Sequence, residues 1–260
     1  MLTNYHTHCN LCKHAGGTIE EYVLEAIDKG FDILGMSDHL PYKDVDYGYR
    51  MEYKEKDIYF DEITRLKEKY KKDIKLYSGM ECEYLPQYND YYEELLKDSR
   101  CDYLLLGAHF YLDNSGELQY TSGITDTSKY IEYAKKTVDA MRTGYFKYLC
   151  HPDLIGVGKF KINDDFFRAF DIIIDGAIKY DFILEYNANG IRRGITELAG
   201  VSRYQYPIEE FWNMAKASGV KVIAGSDCHI PRVLCDDKFQ ESIKYLDNNG
   251  FNRIIELDIK

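Results

Sequence analysis

What this chain lacks narrows its function early. No apolar run reaches the roughly 18–20 residues that a membrane-crossing helix needs. The formal net charge is -11, from 33 Lys and Arg against 44 Asp and Glu. Binding a phosphate backbone rests on clustered Lys and Arg, so no nucleic-acid partner is expected. A small anionic substrate stays open, because bound metal ions invert a local field. No glycine-rich dinucleotide fingerprint follows the first apolar run, where His6-Thr7-His8 stands instead. There is no nucleophile elbow and no convincing Cys–His dyad, so covalent catalysis has no evident nucleophile. No linker or low-complexity stretch divides the chain, and residues 1–260 are expected to form one domain.

Met1–Tyr5 runs directly into a strand pattern with no signal-peptide features, and a cytoplasmic location is expected. The seven cysteines (Cys9, Cys12, Cys82, Cys101, Cys150, Cys228 and Cys235) are an odd set, read as reduced thiols. Cys9 and Cys12 form a CxxC without the second pair that a structural zinc site wants. They are either a redox pair or small residues lining the loop between His8 and His14, and the second reading is preferred.

What is present is a set of seven histidines: His6, His8, His14, His39, His109, His151 and His229. Each lies at or just beyond the end of a short apolar run, where barrel enzymes keep their chemistry. Strand-like segments are expected at Leu2–Tyr5, Phe31–Met36, Ile74–Gly79, Tyr103–Gly107, Tyr145–Cys150, Phe182–Tyr186 and Val220–Ala224, with an apolar tail at Arg253–Leu257. Between them lie helical patterns at Thr18–Lys29, Lys54–Lys72, Asn89–Lys97, Asp126–Arg142, Asp164–Lys179, Pro207–Ala217 and Lys238–Asn248. The first has a Thr18/Glu21 capping box and a terminal Gly30, and the sixth has proline in its first turn. Repeated strand–helix units predict an α/β fold with a parallel sheet, and seven or eight of them suggest a closed barrel. An open doubly wound sheet would spread the histidines apart; a barrel mouth gathers them.

His6 and His8 are two apart, so on an extended strand both point to one face and can chelate one metal. Asp227 and His229 repeat that spacing after Gly225-Ser226, small residues that let the backbone crowd a site. Glu81 ends the third strand, and its carboxylate can bridge two cations as an imidazole cannot. His109 and His151 stand alone on matching positions of adjacent strands. Asp38 and His39 point to opposite sides of an extended backbone. His39 is the better ligand, while Asp38 either orients a ligating imidazole or caps local structure.

These motifs resemble the polymerase-and-histidinol-phosphatase (PHP) family, and within it the histidinol-phosphatase branch. The residues carrying the resemblance are His6-Thr7-His8 with His14, Ser37-Asp38-His39, Gly79-Met80-Glu81, Gly107-Ala108-His109, His151-Pro152-Asp153, Asn187 to Arg192, and Ser226-Asp227-Cys228-His229. The resemblance implies a distorted (β/α)7 TIM-like barrel with a trinuclear metal site at the C-terminal ends of its strands. One metal would take His6, His8, Glu81 and Asp227, and a second His14, His39 and His229. A third would take His109 and His151, with Glu81 bridging it to the first. Cys228 stands where the family often has alanine, either as a neighbour of the metals or as a buried small residue.

The implied activity is metal-dependent hydrolysis of a small phosphomonoester, L-histidinol phosphate foremost. Three divalent ions, zinc, iron or manganese, would activate a bridging hydroxide. Glu81 and Asp227 position the metals. Arginine suits the remaining phosphate charge: Arg192, in the family's Gly-x-Arg motif, ranks first, followed by Arg193 and Arg203, with Lys159 a weaker candidate. Tyr42, Tyr47, Tyr49 and Tyr53 form either a lid or ordinary packing. Alternatives are a PHP phosphoesterase for phosphotyrosine or another monoester, an amidohydrolase-type metal hydrolase, and a non-catalytic metal-binding domain. The amidohydrolase would place a metal-bridging lysine where this chain has Glu81.

Overall fold

The structure, a computed structural model, describes residues 1–157 and 161–259; Lys159 lies outside the described residues. Its strands are β1 (Thr3–Asn4), β2 (Ile33–His39), β3 (Lys75–Cys82), β4 (Tyr103–Leu106), β5 (Phe110–Leu112), β6 (Leu118–Tyr120), β7 (Tyr148–Leu149), β8 (Ile183–Asn187), β9 (Ile195–Leu198), β10 (Val201–Tyr204), β11 (Lys221–Gly225) and β12 (Asn252–Arg253). Its helices are α1 (Ile19–Asp28), α2 (Lys56–Lys69), α3 (Asn89–Lys97), α4 (Ser128–Arg142), α5 (Asp164–Lys179), α6 (Ala188–Arg192), α7 (Glu209–Ser218) and α8 (Asp237–Asn248).

The main sheet is parallel in the order β1-β2-β3-β4-β7-β8-β11-β12. It curls until its flanks meet. Thr7 pairs in parallel with Cys228, His8 N–H donates to Cys228 O at 3.1 Å, and Asp227 N–H to His6 O at 2.9 Å. At the opposite rim, Leu257 N–H donates to the Tyr5 hydroxyl. The sheet has eight strands where seven were expected; the additional one, β12, lies at the start of the apolar tail.

Because both faces of a curled parallel sheet are covered, β2 is buried along its whole length. Side chains alternate: Leu34, Met36, Leu104, Leu149 and Val222 pack outward against the helices, while Ile33, Tyr103, Leu105, Tyr148 and Ile223 fill the interior. Tyr103 is one of the interior plugs, its hydroxyl donating to Tyr5 O at 2.7 Å. A Cβ on Gly35 would stand 2.3 Å from that hydroxyl and one on Gly79 2.5 Å from the ring, so both strands need glycine there. Together these residues seal the barrel below the ligand-bearing strand ends.

Helix starts follow local chemistry. Thr18 and Glu21 form the expected capping box, and Asn163 and Asp236 accept backbone N–H groups at the starts of α5 and α8. One expectation needs correction: Pro207 precedes α7 rather than sitting in its first turn. The segment after β8 forms α6, because the Asn187 side chain caps Asn189 N and Gly190 N.

Candidate metal centre

The strands deliver their polar side chains by turning sharply at their ends. Ala108, His151 and Asp227 adopt positive φ values of 52°, 32° and 46°. Such conformations are costly for residues with a Cβ and gather at sites that need them. Two glycines clear the space: a Cβ on Gly107 would lie 2.8 Å from Glu81 Oε1, and one on Gly225 would lie 1.8 Å from Glu185 Oε1.

All nine expected ligands converge. His6 Nε2 and His8 Nε2 are 3.1 Å apart, and His14 Nε2 and His229 Nε2 are 2.9 Å apart. Glu81 sits between groups. Its Oε1 is 3.1 Å from His151 and 3.8 Å from His109, and its Oε2 lies 3.0, 3.4 and 3.5 Å from His39, His6 and His8. Asp227 Oδ1 similarly faces His8, His229 and His6 at 3.3, 3.5 and 3.7 Å. The division expected from sequence is therefore less sharp in space. His8 shares one ligand-sized cluster with His39 and His229 and another with His6 and Glu81.

Behind the imidazoles stands a layer that sequence reasoning only partly found. Asp38 Oδ1 faces His8 Nδ1 at 3.3 Å, Glu185 Oε1 faces His6 Nδ1 at 2.8 Å, and Glu83 Oε1 faces His109 Nδ1 at 2.8 Å. Asp38 thus lies behind a histidine rather than at the reacting centre, and Cys9 Sγ donates to its other oxygen at 3.0 Å. Glu83 and Glu185 were missed. Glu185 precedes Asn187 by two positions on β8, and Glu83 follows Glu81 by two, just past the end of β3, which is the period-2 signal that could have found them.

These acceptors fix the proton on Nδ1. His14 Nδ1 and His229 Nδ1 are held the same way by Cys12 O and Asp227 O. With the proton on Nδ1, the two Nε2 lone pairs of each close pair face one another, an arrangement that a shared metal ion, or in its absence a proton, satisfies. A further buried atom, His151 Nδ1, has no hydrogen-bond partner among the described residues, and His39 Nδ1 meets Glu81 Oε2 at 3.0 Å without good hydrogen-bond geometry. Facing lone pairs, an orphaned ring nitrogen and a mixed N/O donor set fit divalent metal ions.

Electrostatics agree. Burial holds His39 well below the usual imidazole range and His229 at about 3, so both offer free lone pairs at neutral pH. Burial also opposes protonation of His8, but hydrogen bonds to Asp227 and Asp38 raise it to about 9 in the metal-free chain. A metal ion must displace that proton. Burial pushes the Glu81 and Asp227 carboxyls up, yet the surrounding imidazoles hold both well below the ordinary carboxylate range.

The cluster forms the floor of a cavity of about 620 Å3, a size suited to a small molecule. Of the cations named from sequence that fall among the described residues, Arg193 lines it, its guanidinium over the Tyr206 ring at 5.4 Å, and the other two do not. Arg192, ranked first, is engaged elsewhere: Nε and Nη2 bind the two Asp236 oxygens at 2.8 and 2.9 Å, and Nη1 donates to Ser226 O. Arg203 donates to Tyr204 O and Gly156 O, stapling two loops. Arg50, not singled out in the sequence, also lines the cavity, buried and paired with Glu83 at 3.1 Å. The tyrosine run divides: Tyr42 is buried, while Tyr47 and Tyr49 line the mouth.

The PHP domain family model matches residues 4–189. The chain belongs to the PHP family. Among curated proteins it is 25% identical to a probable histidinol-phosphatase of Deinococcus radiodurans, covering 96% of this chain and 94% of that one. It is 23% identical to the histidinol-phosphatase of Bacillus subtilis, covering 86% and 92%. Among solved structures, the histidinol phosphate phosphatase of Lactococcus lactis, complexed with zinc, L-histidinol and phosphate, superposes with a TM-score of 0.72 at 16% identity, over 99% of this chain and 98% of that one. The putative histidinol phosphatase of Listeria monocytogenes superposes with a TM-score of 0.71 at 20% identity, over 90% and 98%. This PHP chain thus shares its fold with those two structures along most of its length.

Proposed function

We propose that this PHP protein is a metal-dependent phosphomonoesterase that converts L-histidinol phosphate and water to L-histidinol and phosphate. The observation that carries the reading is the set of facing imidazole lone pairs around Glu81 and Asp227 at the floor of a small-molecule cavity. The names of the sequence relatives supply the substrate.

His6, His8, Glu81 and Asp227 would hold one divalent ion, His14, His39 and His229 a second, and His109 and His151 a third that shares Glu81. Zinc, iron and manganese all suit these donors. Such ions supply Lewis acidity toward phosphoryl oxygens and activate water at neutral pH. The chain's own residues do the rest. Asp38, Glu83 and Glu185 fix the ring orientation and tautomer of His8, His109 and His6. Arg193 pairs with the phosphate, an anion its planar fork matches. In the net reaction, water oxygen bonds to phosphorus, the P–O bond to the alcohol breaks, and the alcohol takes up a proton.

The amidohydrolase alternative loses ground, since no lysine lines the cavity among the described residues and Glu81 occupies the shared position. The test joins metal analysis of the purified protein to phosphate release from L-histidinol phosphate, with and without chelator. Release that is abolished by chelation and restored by metal is expected. A fully metal-loaded protein inert toward every phosphomonoester would sink the proposal.

A further inference from the structure

The wall above the metal floor has a chemistry of its own. Tyr47 and Phe110 lie with ring centroids 4.9 Å apart, and Phe110 and Tyr120 5.1 Å apart, forming a row of rings along one side of the cavity. Tyr49 stands at the mouth with its ring 5.2 Å from that of His14, edge-on. It is 72% exposed and held at a φ of 50°. A bulky side chain in that region is a backbone outlier, and folding gains little from a ring left in water. Strain of this kind collects where a ligand is engaged. Tyr120 is also solvent-facing, at 44% exposure.

Charge in the same cavity points one way. Among the described residues, the carboxylates lining it are Glu81 and Asp227, and both face the histidines. The other charged groups on the wall are Arg50 and Arg193. Glu83 is within reach of Arg50 but is already saturated, taking His109 N at 2.7 Å, His109 Nδ1 at 2.8 Å and Arg50 at 3.1 Å. A substrate ammonium would meet two guanidiniums and no free anion. A planar ring would meet a row of tilted aromatic faces and edges, a surface on which offset and edge-to-face contacts are favourable.

We propose that the cavity mouth reads the aromatic ring of the leaving group and is indifferent to an ammonium group, so that aromatic phosphomonoesters with and without an amine are its substrates. This rests on the phosphomonoesterase reading and specifies the substrate class of that same site. Histidinol phosphate qualifies through its imidazole; tyrosine phosphate and phenyl phosphate qualify as well.

The experiment is steady-state hydrolysis by the metal-loaded protein of four esters: L-histidinol phosphate, its analogue lacking the amine, phenyl phosphate and glycerol phosphate. The first three should share kcat/KM within about tenfold, and each should exceed glycerol phosphate by more than that. Tyr49→Ala, at a rim position where truncation leaves the core intact, should lower the aromatic-to-aliphatic ratio of kcat/KM by roughly three- to tenfold. Tyr120→Ala provides a second, independent lesion of the same wall and should move the ratio the same way. If the analogue lacking the amine falls more than tenfold below histidinol phosphate, the pocket reads the ammonium and the inference is overturned. If glycerol phosphate matches the aromatic esters, or both variants leave the ratio unchanged, it is overturned while the phosphomonoesterase reading stands. Release from none of the four would take down both.

Discussion

The floor and the mouth of this cavity are built by different rules. The floor stands on the ends of parallel strands, with His6 and His8 fully buried and the rings of His6, His8, His14 and His229 each aimed by a carboxylate or carbonyl behind it. The mouth is made of loops and a hairpin, with exposed aromatic rings and Arg193, which has no salt bridge among the described residues. Rigid strand ends suit a site in which several donors must hold fixed positions. Loops suit the part that meets varied leaving groups. Damage to the floor should therefore abolish turnover and metal binding together, whereas damage to the mouth should alter which substrates are used.

The harshest break of that contrast is Glu81→Gln. It removes the charge shared among five imidazoles. Activity should fall by about three orders of magnitude or more, with metal content reduced in elemental analysis. Activity within tenfold of wild type would show that the floor does not depend on its central carboxylate. Chelation of the wild-type protein should act on the same groups, lowering Tm as the facing lone pairs lose their shared cation.

A milder break probes the layer behind the floor. Glu83→Gln and Glu185→Gln keep shape but remove the anion behind His109 and His6. Each should cost about 10- to 100-fold in metal affinity or activity. Titration of the metal-free protein with zinc measures this directly. An unchanged affinity in both would reduce the two glutamates to packing.

The floor was legible in the sequence because its ligands obey local rules. His6/His8 and Asp227/His229 follow period-2 spacing, and each apolar run ends where a parallel strand should. Asp38 was visible because it adjoins His39. Glu83 and Glu185 were not singled out, since a carboxylate on a strand or just past its end declares its role only when the histidine it faces, up to 179 residues away, is placed. The mouth was hardest to read. The hairpins β5–β6 and β9–β10 and the helix α6 are short, and short elements are set by side-chain caps and neighbours rather than by periodicity. Adjacent Arg192 and Arg193 show the limit most clearly. No local rule says which of two consecutive arginines turns into a cavity, and the outcome depends on Asp236, 44 residues further on.

That pair gives the next contrast. Arg193→Ala, at the mouth, should raise KM for a phosphomonoester by roughly tenfold or more, the value of a charge-assisted contact, with Tm little changed. Arg192→Ala should do the reverse. It leaves Asp236 and the Ser226 carbonyl unpartnered and should lower Tm by about 3–8 °C, while KM stays near wild type. Reversed outcomes would restore Arg192 as the phosphate contact.

The smallest effect expected is a pH dependence that belongs to the floor's support. Burial raises the Asp236 carboxyl, but the Arg192 hydrogen bonds outweigh it and hold the group below its ordinary value of 3.8. A carboxylate depressed in the folded state stabilises it fully above the unfolded pKa and loses that contribution as pH falls through the folded one. The Tm gap between wild type and Asp236→Asn should thus be constant from pH 7 to about 5 and narrow below about pH 4. With both partners partly solvated, the pair contributes on the order of 1 kcal/mol, and the gap itself should be a few degrees at most. Because Arg192 also holds the Ser226 carbonyl, one residue before Asp227, the same acid range should loosen a ligand-bearing strand end. A gap that widens toward pH 3 would reverse the sign of this linkage and remove the pair from the floor's support.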